Sequence, residues 1–506
     1  MGTITITLMI ITLISKITGL IREQVFTYFL GTGMLREVYI TSLNIPTTII
    51  SFLTAGVIAG FIPIYHRVLH EKGEDEANLF TSNLVNILLI VATGFVFVIF
   101  LISPFLVTLF ASGYEGMKRE LTIIFTRIMS FSLYGSVLSS IYIGYLQIKN
   151  KFLISETAGI IMNFFYVTTL LLAVYFDNLF IIPIGILISD YMKYVLFPRE
   201  IGKSGYKHKW YINIHDHYIK DLISITLPIL ISIAALDIST ISDQTFASQV
   251  LPNGGVANMK TAQLILTLIT GVIVVSITTA IYPMISKYAS EGKLRKVKSA
   301  LMDGNTYSFI LLLPAMVGVM ILAEPMVKIL FQRGHFTSEA TALTSGVLIY
   351  YMPTLLGQTI SQILTRGFYS LKNTKTPIFI TIIQVLVNIL LNYILSKVLG
   401  LNGLALATTI SVFISGFLSL YYFKKAYGDL GLRKFAISAL KISIATAIMG
   451  VFTYLTYHGL KEGSEIIAFL VAIIVSIFVY GIVLLFVRVD HVRKLLNLLY
   501  RKYRRR

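Results

Sequence analysis

Residues 10–33, IITLISKITGLIREQVFTYFLGTG, decide how the rest of the chain is read. Met1 to Ile14 carries no charged side chain, and the apolar run continues past Ser15, Lys16, Arg22 and Glu23 instead of ending at them. A secretory signal opens on a basic segment and closes on a small-residue cleavage site after a short apolar core. Neither feature is present, so the stretch reads as a retained first transmembrane helix. At about 100° per residue, Ser15, Lys16, Gly19, Arg22 and Glu23 fall within an arc of about 120°. Ile10, Ile11, Leu13, Ile17, Leu20 and Ile21 lie mostly outside that arc. A charge at the bilayer centre costs on the order of 2.5 to 3.5 kcal/mol, so a helix with three charges on one face needs a reason. One is a cavity wall, with Arg22 gripping phosphate oxygens through its bidentate fork and Lys16 acting as a point charge. The other is that Glu23 neutralises a neighbouring base and the pair packs helices together.

Composition extends this reading to the whole chain. The protein has 506 residues, 56% hydrophobic and 13% charged, with a mean hydropathy of +0.80. That is too little polar surface to cover a water-soluble globule. A lipid-core helix needs roughly 20 apolar residues, and such stretches recur at 3–30, 38–66, 81–110, 120–147, 153–175, 179–198, 220–248, 256–287, 304–331, 340–369, 376–398, 403–424, 434–457 and 463–487. The expected fold is therefore an all-α polytopic membrane protein of about 14 transmembrane helices. Zero cysteines exclude a disulfide framework, a thiolate nucleophile and a cysteine-ligated metal. The net charge of +18 sits in short loops and in the tail Arg501 to Arg506, a pattern of topology and anionic-lipid contact, not of nucleic-acid binding. Even-numbered connections and the tail hold about 28 Lys and Arg, the odd-numbered ones about 6, which by the positive-inside rule places both termini in the cytoplasm. The acidic run Glu71, Glu74, Asp75 and Glu76 does not alter this, because acids count little in the rule.

Marker residues repeat along the chain. Pro63 matches Pro283 at an offset of 220; Pro104, Phe110 and Gly113 match Pro325, Phe331 and Gly334 at 221; Lys149-Asn150 matches Lys372-Asn373 at 223. The unit is six helices, an even number, so both copies start from the same side of the membrane, related by an axis along its normal. The expected division is a first lobe at 1–200, a cytoplasmic linker at 201–219, a second lobe at 220–425, two further helices at 426–487 and a basic tail at 488–506. Two lobes about such an axis suggest a substrate cleft between them and alternating access by rocking.

Other polar residues compete for roles. Asp237 and Asp243 lie six apart, about 120° around one helix, and are either ion-coupling sites or acids paired within the fold. Lys260 and Gln263, one turn apart, either face the cleft or pack internally. Arg127, Arg366 and the i, i+4 pair Glu324 and Lys328 read as structural or interfacial. His208, His215 and His217 lie in Tyr206 to Tyr218, whose Trp210, tyrosines and lysines suggest an interfacial helix on anionic headgroups more than a metal site. No phosphate-binding loop, dinucleotide turn or hydrolase motif occurs in a fitting context, so no enzyme activity, metal or cofactor is expected. Energy then comes from sodium, protons, the membrane potential or the substrate gradient.

SKITGLIREQVFTYFLGTG (15–33) resembles the S-R-x-x-G-x-x-R-[DE] signature of the MviN/MurJ family, lipid II flippases of the multidrug/oligosaccharidyl-lipid/polysaccharide exporter superfamily. FIPIY (61–65), Arg127 with LQIKNKF (146–152), SDQTFAS (242–248), LFQRGHFT (330–337) and RGFYSLKNTKTP (366–377) extend the resemblance in order. It implies two six-helix lobes in a V, a central cationic cavity for headgroup and pyrophosphate, and a polyprenyl groove from the last two helices. Arg22 matches the family's second helix-1 arginine, Glu23 the following acid and Glu37 the acid opening helix 2, while Lys16 replaces the first arginine. The helix-2 arginine falls at Ile50, its nearby glutamate at Ala55 and the helix-8 arginine at Gln263, with Lys260 one turn away. With Lys260 added on its spacing from Gln263 alone, the expected substrate-binding set is Ser15, Lys16, Arg22, Glu23, Glu37, Lys260 and Gln263.

The expected function is a flippase of the bacterial cytoplasmic membrane that moves a polyprenyl-pyrophosphate-linked oligosaccharide, foremost the peptidoglycan precursor lipid II, in the service of cell-wall and cell-shape maintenance. The alternatives are a flippase for another lipid-linked glycan, a cation-coupled drug exporter using Asp237 and Asp243, and a non-transporting membrane scaffold. Expected partners are the lipid-linked oligosaccharide, anionic membrane lipids and cell-wall synthesis proteins, with no nucleic acid.

Overall fold

The protein is described by a computed structural model covering residues 2–489, apart from 193 and 196, together with 491–492. The basic tail Arg501 to Arg506 lies outside the described residues. Those described form helices and no strand. Ten helical stretches are long and apolar enough to cross a membrane, and the count of fourteen is not fixed by them.

The chain divides by packing into two units, Met1–Ala257 with Arg333–Thr337, and Asn258–Gln332 with Ser338–Arg506. The first contains α1 (Gly2–Leu30), α2 (Met34–Lys72), α3 (Glu74–Phe110), α4 (Gly116–Ser130), α5 (Ser132–Ile148), α6 (Phe152–Tyr175), α7 (Ile181–Met192), α8 (Phe197–Lys203) and α9 (His217–Val250). Helix α2 is its centre, packing on α3, α4, α5 and α9, while α1 lies along α6. Phe61, Tyr65, Phe80 and Tyr145 form an aromatic core, with Phe61 stacked on Phe80 and Tyr65 edge-on to Tyr145. The boundary drawn from the repeat, at 201–219, falls earlier than the packing boundary because α9 lies along α2.

The α2–α9 seam is polar and antiparallel. Arg67 pairs with Asp221 at 2.7 Å, Ser51 donates to Asp237 at 2.5 Å and Asn44 donates to Gln244 at 2.8 Å. Each step down α2 is matched by an equal step up α9, so one register satisfies all three contacts.

The second unit contains α10 (Gly255–Ile269, from Asn258), a π-turn at Thr270–Val274, α11 (Val275–Ser290), α12 (Leu294–Ile321), α13 (Ala323–Phe331), α14 (Ser338–Tyr351), α15 (Thr354–Ser370), α16 (Lys375–Leu399), α17 (Leu401–Tyr427), α18 (Leu432–Leu460) and α19 (Glu465–Phe486). Helices α18 and α19 pack on each other and on α12. Gly357 of α15 lets α17 approach so closely that a Cβ there would sit 2.9 Å from the Phe413 backbone nitrogen. Small residues at such crossings give membrane helices their van der Waals contact.

Three expectations are corrected. The expected span 340–369 is broken at Met352 and Pro353, where proline lacks an N–H and disfavours helix before it. Lys328 pairs with Glu465 of α19, not with Glu324 one turn away, and Glu465 also accepts from Tyr457 at 3.3 Å.

Residues 206–216 are an extended strap, not an interfacial helix. Buried Asn86 donates to the Lys209 and Tyr211 carbonyls at 3.0 Å each, Asn83 exchanges two hydrogen bonds with the Asn213 backbone, and Ser82 accepts from the Lys209 amide at 3.2 Å. These side chains of α3 supply the partners that a helix would have taken from its own backbone. Burial pushes the Tyr206 phenol up to about 12, so it stays neutral between Ser82 and His208.

The tight α15–α17 crossing predicts that Gly357→Leu lowers the apparent melting temperature of the purified protein, by overpacking of about 1 to 3 kcal/mol. Gly94→Leu, where a Cβ meets nothing within 4 Å, should melt with the wild type. Equal melting of both variants would remove this packing argument.

Candidate functional site

The polar arc of α1 is held against α6 by one side chain. Asn163 of α6 donates to Thr18 Oγ1 at 3.1 Å and to the Ser15 carbonyl at 3.3 Å, while its own Oδ1 accepts from Arg22 Nη1 at 3.1 Å. Gly159, one turn earlier on α6, brings its backbone against Ser15; a Cβ there would lie 2.4 Å from Ser15 Oγ. Ser15 therefore sits in the α1–α6 interface.

Arg22 is fixed on three sides. Beyond Asn163, its Nη2 donates to Glu23 Oε1 at 2.7 Å, and its guanidinium lies 5.2 Å from the Tyr166 ring centroid. Glu23 in turn receives Arg36 Nη2 on its other oxygen at 2.5 Å. Arg36, at the start of α2, is 1% exposed and lies 5.6 Å from the Phe26 ring and 5.8 Å from the Tyr39 ring. One carboxylate thus bridges two guanidinium groups. A second acid, buried Asp190 of α7, accepts from Tyr166 at 3.3 Å and extends the network past the arginine. Arg22 Nε and both Arg36 Nε and Nη1 are buried without a hydrogen-bond partner among the described residues. The two guanidinium groups are thus matched by two acids, and the cluster keeps unused N–H donors.

Lys16 differs from Arg22. It is half-buried on the same polar arc, and among the described residues it makes no hydrogen bond or ion pair. It lies six residues from Arg22, about 9 Å along the helix axis. An ammonium so placed offers three donors to a ligand.

Glu37 lies elsewhere. It is fully buried; Lys118 of α4 meets one oxygen, and the Val256 and Ala257 amides donate to the other at 2.8 and 3.4 Å. Lys118 also reaches the Pro252 carbonyl and sits 3.7 Å from the Tyr114 ring centroid. Glu37 caps the first turn of α10, as a carboxylate at a helix N-terminus does. Its neighbours Thr41, Tyr114 and Gln244 continue the hydrogen bonds, with Gln244 donating to Thr41 at 2.8 Å.

Asp237 is half-buried and accepts from Ser51, whereas Asp243 is buried one and a half turns later on the same helix. Lys260 and Gln263 belong to the second unit, where Lys260 is exposed and Gln263 reaches the Tyr351 hydroxyl at 3.4 Å. Of the named residues, then, Arg22 and Glu23 touch, and Ser15 and Lys16 join them along one helix face. Arg36, Asn163, Tyr166, Asp190 and Lys118 were not singled out from the sequence. Asn163 and Asp190 carry a signal that finds them: each is a strongly polar residue inside an otherwise apolar stretch.

The profile of the lipid II flippase MurJ family matches residues 26–478. A probable lipid II flippase MurJ of Bdellovibrio bacteriovorus is 27% identical over 487 residues, covering 93% of this chain and 91% of that protein. The lipid II flippase MurJ of Thermosipho africanus is also 27% identical, over 475 residues and 93% of each chain. Among solved structures, a lipid II flippase MurJ in an inward closed conformation superposes with a TM-score of 0.82 at 26% identity, covering 94% of this chain and 98% of that one. An inward-facing multidrug resistance MATE family transporter of the MOP superfamily shares the fold, with a TM-score of 0.70 at 15% identity over 84% of this chain and 98% of that one.

The bridging geometry predicts that Glu23→Gln leaves Arg22 and Arg36 facing each other uncompensated, a loss of about 3 to 5 kcal/mol for a buried pair broken on one side. The folded yield and melting temperature of purified Glu23→Gln should fall well below the wild type, whereas Lys16→Ala should leave both unchanged. Wild-type stability of Glu23→Gln would show that the carboxylate does not hold the cluster.

Proposed function

The chain belongs to the lipid II flippase MurJ family, and from that premise we propose that it moves lipid II from the cytoplasmic to the outer leaflet by alternating access of two six-helix lobes, 1–200 and 220–425. It is a multi-pass flippase of the bacterial cytoplasmic membrane and not an enzyme. The observation that carries the binding step is the pairing pattern on α1: Arg22 is tied to Glu23 and Asn163, while Lys16 on the same face has no partner among the described residues.

Pyrophosphate carries more negative charge than one base balances. Lys16, with no side-chain partner among the described residues, supplies its ammonium as a point charge, and Arg22, oriented by Asn163 and Tyr166, presents the rest of its guanidinium. Glu23 sets the position of Arg22 and limits the net charge, so that the anion is held without being trapped. Lys260, one turn from Gln263, is a further base proposed for the headgroup. An apolar cavity of about 370 Å³ between α12, α18 and α19, walled by Pro314, Met326, Met449 and Ile473, suits a polyprenyl segment. Flippase action on a different polyprenyl-pyrophosphate-linked glycan is the second reading, favoured by Ile50 and Gln263 standing where the family has arginines.

Asp237 is the proposed coupling group, since a carboxylate repels pyrophosphate and its one hydrogen-bond donor among the described residues is the neutral Ser51 hydroxyl. Asp243 is proposed as its companion on α9. The membrane orientation follows the basic loops, with both termini cytoplasmic. Cell-wall synthesis proteins are proposed partners on functional grounds alone.

Three outcomes test this reading. In a flipping or complementation assay at matched abundance, Lys16→Ala and Arg22→Ala should each lose about ten- to a hundred-fold, the worth of one charge-assisted hydrogen bond, with Arg22→Lys intermediate. Full activity of both alanine variants would leave the flippase reading resting on fold alone. Asp237→Asn should shift the sodium, pH or potential dependence of transport more than headgroup binding, and the reverse would contradict its role. The chain has no cysteine of its own, so cysteines introduced at exposed Tyr175 and Glu462 should react with an impermeant reagent in intact cells, and one at exposed His215 should be protected. Protection of the first two would invert the topology.

A further inference from the structure

The second unit holds a polar cavity of about 830 Å³ at one end of α12 and α18. Its cations are Arg295 and Lys298 from α12, and Lys434 and Lys441 from α18. Its acids are Asp303 and Asp429. Asp303 is engaged by His491 at 2.8 Å and by Ser299 at 3.3 Å. Lys298 reaches the Tyr427 carbonyl at 3.2 Å and Lys441 the Arg488 carbonyl at 3.1 Å, so each ammonium keeps donors unspent. The side chains of Arg295 and Lys434 make no hydrogen bond or ion pair among the described residues. Four bases thus face two acids around one concave space, and two of the bases wait for an anion.

The walls identify what kind of anion. Lys434, Ile437, Ser438 and Lys441 recur at helical spacing, so one face of α18 carries cation, apolar and cation in turn. Met302, Leu430 and Phe435 line the same cavity, and Ile437 and Leu440 continue outward from it, 48% and 63% exposed. A free inorganic anion would leave this apolar surface uncovered. A headgroup with acyl chains satisfies both parts, because α18 is itself a helix long and apolar enough to cross the membrane, and the cavity lies along its first three turns. The first amides of α18, after Gly431, add positive potential at the same point.

We propose that this cavity binds the phosphodiester headgroup of an anionic phospholipid, with Arg295 and Lys434 as the principal phosphate contacts and the chains running along α18. Basic pockets between membrane helices on the cytoplasmic side are suited to such headgroups. The inference does not depend on which glycolipid is flipped. It rests on the proposed orientation only for the leaflet that supplies the lipid. The lipid clamps α12, α18 and the segment at His491 together at one membrane face.

The test is native mass spectrometry of the full-length, delipidated protein titrated with dioleoyl phosphatidylglycerol, with dioleoyl phosphatidylethanolamine, and with inorganic pyrophosphate. The wild type should retain phosphatidylglycerol at least ten-fold more tightly than either of the others. Arg295→Gln with Lys434→Gln, both exposed positions, should abolish that preference. Lys424→Gln with Lys425→Gln, an equal loss of charge on α17 outside the cavity, should keep it. Retained preference in the first double variant, or its loss in the second, would overturn the site. Pyrophosphate binding as tightly as the lipid and lost in the Arg295→Gln, Lys434→Gln variant would overturn the lipid assignment. Because the readout is binding, a failed flipping assay and a failed lipid site are separate results.

Discussion

The Glu23 carboxylate, held between two guanidinium groups, is the constraint on which the first unit's polar architecture depends. Arg36 is 1% exposed and Arg22 is largely buried, and each guanidinium brings five N–H donors and no acceptor into that environment. Taking such charges out of water is tolerable only if an acid and hydrogen-bond acceptors meet them. Glu23 supplies the acid, Asn163 an amide oxygen, and Phe26, Tyr39 and Tyr166 their ring faces. Helices α1, α2 and α6 are brought together by this need as much as by apolar packing.

From that constraint follows a division of labour on α1. The residues nearest the cluster are occupied in holding helices, while Lys16, six residues from Arg22, has no side-chain partner among the described residues, as the proposed ligand contact requires. A fully compensated site would be inert toward pyrophosphate; a fully uncompensated one would be too costly to fold and would release its anion slowly. The same economy recurs at Glu37, where the acid matching the family's helix-2 residue is wholly engaged by Lys118 and the α10 amides. Identity at a family position therefore does not by itself make a residue a ligand. Lys16 in place of arginine keeps the charge but gives up the bidentate fork, which reduces geometric selectivity more than attraction.

The helices were legible in the sequence because hydropathy alone places them, and α1, α3, α6, α16 and α17 fall within a few residues of the expected spans except where α3 starts earlier. Local chemistry was less legible. Pro353 breaks one expected span, whereas a one-residue turn at Phe131, with no proline to announce it, leaves the expected span 120–147 inside one candidate membrane span, Gly116–Ile148. The strap at 206–216 looked helical because its amphipathic composition suits a membrane surface, while the residues that extend it, Ser82, Asn83 and Asn86, lie more than a hundred positions away. Lys328 shows the same limit, since spacing offers Glu324 as a partner and only tertiary structure offers Glu465. At the site, a helical wheel found the face with Lys16, Arg22 and Glu23 but not Arg36, which pairs across from another helix. Asn163 and Asp190 were visible as isolated polar residues, and the expense of placing them in a membrane was the signal to read.

The most direct measurement is photo-crosslinking of lipid II from α1, with a photoreactive residue at position 16, on the polar arc, and at position 13, on the outward apolar face where Leu13 is 53% exposed. A ligand-facing Lys16 predicts a lipid II adduct from position 16, competed by excess unlabelled lipid II, and none that competes from position 13. Adduct formation from position 13 alone, or equally from both, would contradict a phosphate-binding face on this helix.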